Sequence, residues 1–183
     1  MKHSYEYIVN KATVAELREV AELALKFWLT QPASQIRPSV KRLTKQLVSE
    51  ITAANVARER GFDDVVCWGV KEMLFIAYNQ CKPKYFGIHS DIECTFEGAP
   101  CKFEVKSSAP NRYGKVMRQV IPYQAKGYIK KGVDGLIWVD FFSNSEYSHA
   151  VVHRVYSLKT ITQLPLVENY LGKLCHDLNS LED

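Results

Sequence analysis

The chain has 183 residues, 46% of them hydrophobic and 24% charged, with a formal net charge of +4. That length suits a single domain with a core of its own, and no apolar run approaches the roughly 18 residues needed to span a bilayer. Five cysteines without a C-x-x-C spacing and an N-terminus without a signal-like apolar stretch predict a cytoplasmic protein with free thiols, and argue against disulfide, zinc or iron–sulfur scaffolds.

In chain order, Val14, Leu17, Ala21, Ala24, Leu25, Trp28 and Leu29 recur at helical spacing and predict a first helix over about Thr13 to Thr30. The stretch from Gln31 to Pro38 breaks it. A second helix carries Val40, Leu43, Leu47, Ile51 and Ala54 on one stripe and ends near Gly61. Its opening holds Arg37, Lys41, Arg42 and Lys45 before the first acid, Glu50. Cations at a helix start oppose the macrodipole, so this cluster favours an anionic partner over a structural role. Asp63 and Asp64 read as a cap before a third helix, Val65 to Tyr78, which carries Glu72. Tyr85 to His89 is expected to be a strand leading into Asp91.

Two short runs rich in β-formers follow, Asp91–Phe96 and Cys101–Lys106, separated by Glu97-Gly98-Ala99-Pro100. They predict a hairpin. Pairing Phe96 with Cys101 places Glu93 opposite Glu104 and Asp91 opposite Lys106. Strand side chains alternate faces, so Asp91, Glu93, Glu104 and Lys106 project together while Ile92, Cys94, Phe103 and Val105 turn to a core. Facing carboxylates destabilise a ladder, and a bound cation would remove that cost. Carboxylate oxygens suit Mg²⁺, which needs only one or two of them beside substrate phosphate.

Beyond the hairpin, Ser107–Gly114 reads as a loop, Tyr123–Lys131 as a helix and Leu136–Phe142 as a buried central strand. Tyr147–Leu158 offers a further strand, and Pro165 precedes an expected last helix over about Leu166 to Leu181. From Cys101 to Lys131 the basic residues are Lys102, Lys106, Arg112, Lys115, Arg118, Lys126, Lys130 and Lys131, and the one acid is Glu104. A positive zone thus adjoins the acidic hairpin, as phosphate binding requires. The candidate nucleic-acid contacts are Arg37, Lys41, Arg42, Lys45, Arg112, Lys115, Arg118 and Lys126.

Asp91 with Glu104-Val105-Lys106, the one acidic-x-Lys in the chain, resembles the PD-(D/E)xK nuclease superfamily. Ser90 stands where that family has Pro, and Gln124 and Tyr128 resemble the Gln-x-x-x-Tyr helix motif of its RecB-like branch. The resemblance covers roughly residues 64–142. It implies an α/β fold with a restriction-endonuclease-like core (helix, three strands, helix, strand) and an N-terminal helical extension, in one domain: a helical region over 1–62, a catalytic core over 63–158 and a C-terminal helix over 159–183. It further implies Mg²⁺-dependent hydrolysis of DNA, with Mn²⁺ able to substitute. Asp91 and Glu104 would ligate the ion together with the Val105 carbonyl, and Lys106 would position the attacking water. Glu93, Glu72, Glu50, Gln124 and Tyr128 are accessory candidates. A homodimeric type II restriction-like endonuclease is the first expectation. A Holliday-junction resolvase or repair nuclease is the second, and a non-catalytic nucleic-acid-binding protein on the same scaffold is the third.

Overall fold

A computed structural model of the chain describes residues 2–32, 38–111, 113–143, 147, 149–169 and 172–181. The chain opens with α1 (Tyr5–Lys11), α2 (Val14–Leu29) and α3 (Val40–Glu59). Helices α2 and α3 match the apolar periodicity closely. Thr13 caps α2 reciprocally with Glu16, so two orphan N–H groups at its start are satisfied. Ser39 caps α3 through the Arg42 amide, which explains a helix start that no acid supports. The seven-residue α1, capped by Ser4, was not expected from periodicity; it buries only Ile8 and Val9.

The expected third helix divides. Asp63–Cys67 is a strand, β1, and α4 runs over Trp68–Asn79. Val65 and Val66 are β-branched and fit a pleated surface better than a helical turn, and β1 pairs antiparallel with the next strand, Cys67 against Ile92. Tyr85–His89 is not a strand: Phe86 N–H donates to the Pro83 carbonyl and Ile88 N–H to that of Tyr85, forming successive turns.

The hairpin is β2 (Ile92–Phe96) and β3 (Ala99–Ser108). Its turn is two residues long, not four. Glu97 and Gly98 both adopt positive φ, 50° and 79°, as a type I′ turn demands. The register is therefore Phe96 against Ala99 and Glu93 against Lys102, and its extension sets Asp91 opposite Glu104. The shift is two residues, so every side chain keeps its face while the facing pairs change. The expected Glu93–Glu104 and Asp91–Lys106 pairs are replaced.

After β4 (Gln119–Val120) come α5 (Pro122–Lys131), β5 (Gly135–Phe141), β6 (Ala150–Ser157) and α6 (Leu158–Gln163). The C-terminal helix expected over 159–183 is replaced by α6, a hairpin of β7 (Leu166–Glu168) and β8 (Leu174–Asp177), and a 3₁₀ turn at Leu178–Leu181. Asn169 N–H and the Lys173 carbonyl close that hairpin at 2.9 Å; Tyr170, one of the residues expected on the helical stripe, lies outside the described residues.

The main sheet has the order β1-β2-β3-β5-β6, and a small sheet has the order β4-β8-β7. β3 and β5 run parallel, joined through α5, and the other neighbours in both sheets are antiparallel. The fold is mixed α/β. Strand β5 is buried on both sides, as its apolar run implies. Ile137, Val139 and Phe141 join Ile92, Phe103 and helices α2, α3 and α4 in one core. Leu136 and Trp138 join α5, α6 and the small sheet in the other.

Candidate active site

The junction of β1 and α4 fixes the position of Asp91. The Asp91 carbonyl accepts the Trp68 N–H at 2.8 Å and that of Gly69 at 3.4 Å, tying it to the start of α4. Its side chain Oδ2 accepts the Val105 N–H of β3 at 2.8 Å. Both ends of the residue are thus held by neighbouring backbone. Burial raises the Asp91 carboxyl above its ordinary value, against the pull of Val105 N–H, Lys106 and Lys131.

Glu50 comes from the middle of α3 and is 2% exposed. Its Oε1 accepts Gln46 Nε2 at 2.9 Å, one helical turn back, and the Cys67 thiol lies 3.8 Å from its Oε2. Burial, then the Asp91 charge, pushes its carboxyl well above the ordinary range. The space for it exists because residue 69 is glycine: a Cβ there would stand 2.1 Å from Glu50 Oε2. Among the upstream acids, Glu50 is the one enclosed against Asp91. Glu72 sits further out, with Oε1 accepting the Gly87 N–H at 2.9 Å; burial and then Asp91 raise its carboxyl.

Glu104 is 7% exposed. Burial, followed by repulsion from Asp91, pushes its carboxyl up to about 7. Its counter-charge is Lys131 at the end of α5, whose Nζ lies 3.3 Å from Glu104 Oε1 and 3.4 Å from the His89 carbonyl. Sequence places Lys131 in the basic zone, and the structure adds it to the site. The signal that finds it is helical spacing, because it stands three residues beyond Tyr128 and so on the same face. Lys106 Nζ lies 5.3 Å from the centre of the Tyr128 ring. Burial alone would lower the Lys106 ammonium, but Tyr128, Asp91 and Glu104 outweigh it and keep its pKa above the ordinary value. Lys106 lines two clefts. One, of about 310 Å³, also includes Arg42, Lys45, Gln46, Ser49 and Glu50. The other, of about 360 Å³, includes Gln124, Gln119 and Trp138. Gln124 and Tyr128 therefore both border Lys106.

Among the described residues, no group of three or more His, Cys, Asp or Glu side chains is arranged to hold a metal ion. The donors on offer are two carboxylates, Asp91 and Glu104, with the Val105 carbonyl beside them on β3. Asp91 raises the Glu104 carboxyl, and the Lys131 ammonium is drawn against it. Such a donor set fits Mg²⁺, which retains waters and completes its shell with substrate phosphate.

Glu93 does not join this group. It accepts Trp68 Nε1 at 3.0 Å, lies 3.1 Å from His89 Nδ1 and is 3.9 Å from Lys102 Nζ. The two-residue register shift gives it Lys102 as its cross-strand partner in place of Glu104. His89 in turn stacks on Trp68 with ring centres 3.7 Å apart. Arg118, a candidate nucleic-acid contact by sequence, sits apart from the exposed cations. It is buried, paired with Asp140 and donating to Asn179 Oδ1 at 3.1 Å, so it braces β5 against the C-terminal segment instead of meeting a ligand. Lys41, Arg42, Lys115 and Lys126 are exposed. Lys45 is half-buried over the Phe141 ring at 5.2 Å, and burial lowers its ammonium. Arg37 and Arg112 lie outside the described residues. The chain matches no protein-family model and no curated protein.

Proposed function

We propose that this protein is a metal-dependent nuclease that hydrolyses DNA phosphodiester bonds. The observation that carries the reading is the placement of Asp91, fixed by the Val105 N–H, opposite Glu104 in the hairpin register, with Glu50 buried against Gly69 and lining one cleft with Lys106. Burial of all three carboxyls, with Asp91 further raising Glu50 and Glu104, costs stability in the free protein, and such a cost is commonly retained for chemistry.

A divalent ion held by Asp91 and Glu104, with the Val105 carbonyl, would stabilise charge on the attacked phosphate and lower the pKa of the attacking water. The chain's own residues supply the rest. Asp91 is fixed by the Val105 N–H, so its free oxygen is presented at a defined point. Lys106, braced by Tyr128, holds its ammonium toward the cleft, where it orients the water and neutralises a phosphate oxygen. Glu50, held toward its protonated form by burial in the free protein, would ionise beside a bound cation and then add negative charge behind the two ligands. Arg42 and Lys45 line the same cleft and attract the backbone on either side of the cut.

The experiment is cleavage by Lys106→Ala. This variant is expected to lose at least about 100-fold in rate, the scale of a lost preorganised electrostatic group, while it remains folded and still binds DNA in EDTA. Wild-type cutting by Lys106→Ala would remove the lysine from the mechanism. A homodimeric restriction-like enzyme would yield discrete bands from plasmid, whereas a resolvase or repair nuclease would favour branched or damaged substrates. Nucleic-acid binding without catalysis is a second reading. It draws on the Lys131–Glu104 ion pair, which already balances the charge that a metal would balance. Unchanged DNA affinity with and without Mg²⁺, together with no cutting, would favour it.

A further inference from the structure

The acidic site does not end at Glu50. Arg42 and Gln46 of α3 line the cleft that holds Lys106, and the same two residues, with Gly69, line a second cleft of about 260 Å³. This second cleft is of a different character. Trp28 and Phe86 stand at its wall with ring centres 6.0 Å apart, and Lys82 Nζ lies 5.1 Å from each ring. Leu43, Met73 and Ile76 supply apolar surface, and Glu72 and Gln46 supply hydrogen-bonding groups. Phe86 is 37% exposed, which leaves part of its ring open to a flat group.

We infer that the Trp28–Phe86 cleft takes the base of a nucleotide next to the scissile phosphate, so that the enzyme acts where this nucleotide is unpaired. The inference rests on the nuclease reading for its phosphate. It adds the class of substrate that reading leaves open. A nucleobase is planar, stacks on aromatic rings and offers polar edges, which matches the rings, apolar surface and the Gln46 and Glu72 groups of the cleft. Arg42, shared by both clefts, stands where the connecting backbone passes. A base in a duplex has its pairing edge occupied and its faces stacked. It reaches such a cleft only from a single strand, a flap or a junction, or by being turned out of the helix.

The test uses the wild-type chain in EDTA, so that no cutting intervenes. The probes are 2-aminopurine oligonucleotides: single-stranded, duplex with a single-stranded flap, and fully paired duplex. Expected are a fluorescence change on the first two and a Kd at least about tenfold tighter than for the paired duplex, with Phe86→Ala losing about tenfold or more on the unpaired probes. Trp28→Phe keeps an aromatic face and is expected to retain affinity, whereas Trp28→Ala is expected to lose it. Equal affinity for all three probes, or wild-type affinity in Phe86→Ala, would overturn the base site. Hydrolysis is read separately with Mg²⁺. Cutting of paired duplex as fast as flap by wild type and Phe86→Ala alike would sink the base site and leave the nuclease reading standing. Base binding without cutting would do the reverse.

Discussion

Glu104 carries the most accessible consequence at the scale of a single residue. Its carboxyl ordinarily titrates at 4.5 and is pushed up to about 7 by burial and by Asp91. The folded chain therefore keeps this proton where the unfolded chain has released it. Stability from this group is fully present below about pH 4.5, falls as pH rises toward 7 and is level above. Replacing the carboxylate by an amide removes that loss. Glu104→Gln is expected to raise stability at pH 8 by on the order of 2 kcal/mol, or several degrees in melting temperature, and to change it little at pH 5. Thermal melts at the two pH values without metal check this; an equal shift at both would show that ionisation of the Glu104 carboxyl is not the cause. Gly69 makes the companion case. An added Cβ meets the Glu50 carboxyl at 2.1 to 2.5 Å, so Gly69→Ala is expected to cost about 1–3 kcal/mol by overpacking. It is also expected to slow cleavage at least tenfold by displacing Glu50. Adding Glu50→Ala to Gly69→Ala should recover stability but not activity. A double-mutant cycle in urea measures that coupling, and simple additivity would contradict it.

At the scale of elements, the sequence was legible where one period dominated. Helices α2, α3 and α5 and strand β5 lie within one or two residues of their expected bounds, because Leu17, Ala21 and Ala24, or the run from Leu136 to Phe141, admit one reading. It was illegible where short-range signals conflicted. Val65-Val66-Cys67 could open α4 or add a strand, and pairing with Ile92–Phe96, a long-range event, decided for the strand. The C-terminal stripe of Leu174 and Leu178 looked helical, yet a turn closed by Asn169 and Lys173 made a hairpin. The site was legible in its faces and not in its pairs. Asp91, Glu104 and Lys106 share a side under either register, but whether Glu93 meets Glu104 or Lys102 depends on a turn of two residues or four. That turn is testable. Glu97 holds φ 50° without being glycine or asparagine, so Glu97→Asn is expected to stabilise the chain by several tenths to about 1 kcal/mol. A rise in the urea midpoint at unchanged slope would bear this out. No change would favour the longer turn and the other register.

The whole molecule places its charges to one purpose. The N-terminal helices and the sheet enclose Glu50 between α3 and α4, α5 returns Tyr128 and Lys131 to β3, and Arg42 and Lys45 line the opening. None of this closure could be read from local sequence, since Glu50, Asp91, Glu104 and Lys131 come from four separate elements. With a net charge of only +4, attraction for a polyanion depends on this local arrangement. The most direct measurement is the rate of supercoiled-plasmid cleavage against Mg²⁺ concentration, for wild type and for Asp91→Asn, with EDTA as the blank. The expected result is nicking by wild type that rises with Mg²⁺ to saturation and stops in EDTA, while Asp91→Asn, folded and still bound to DNA, cuts at least about 100-fold more slowly at every concentration. Cutting that persists in EDTA, or an Asp91→Asn curve superimposed on the wild type, would contradict a metal-dependent nuclease built on Asp91, Glu104 and Lys106.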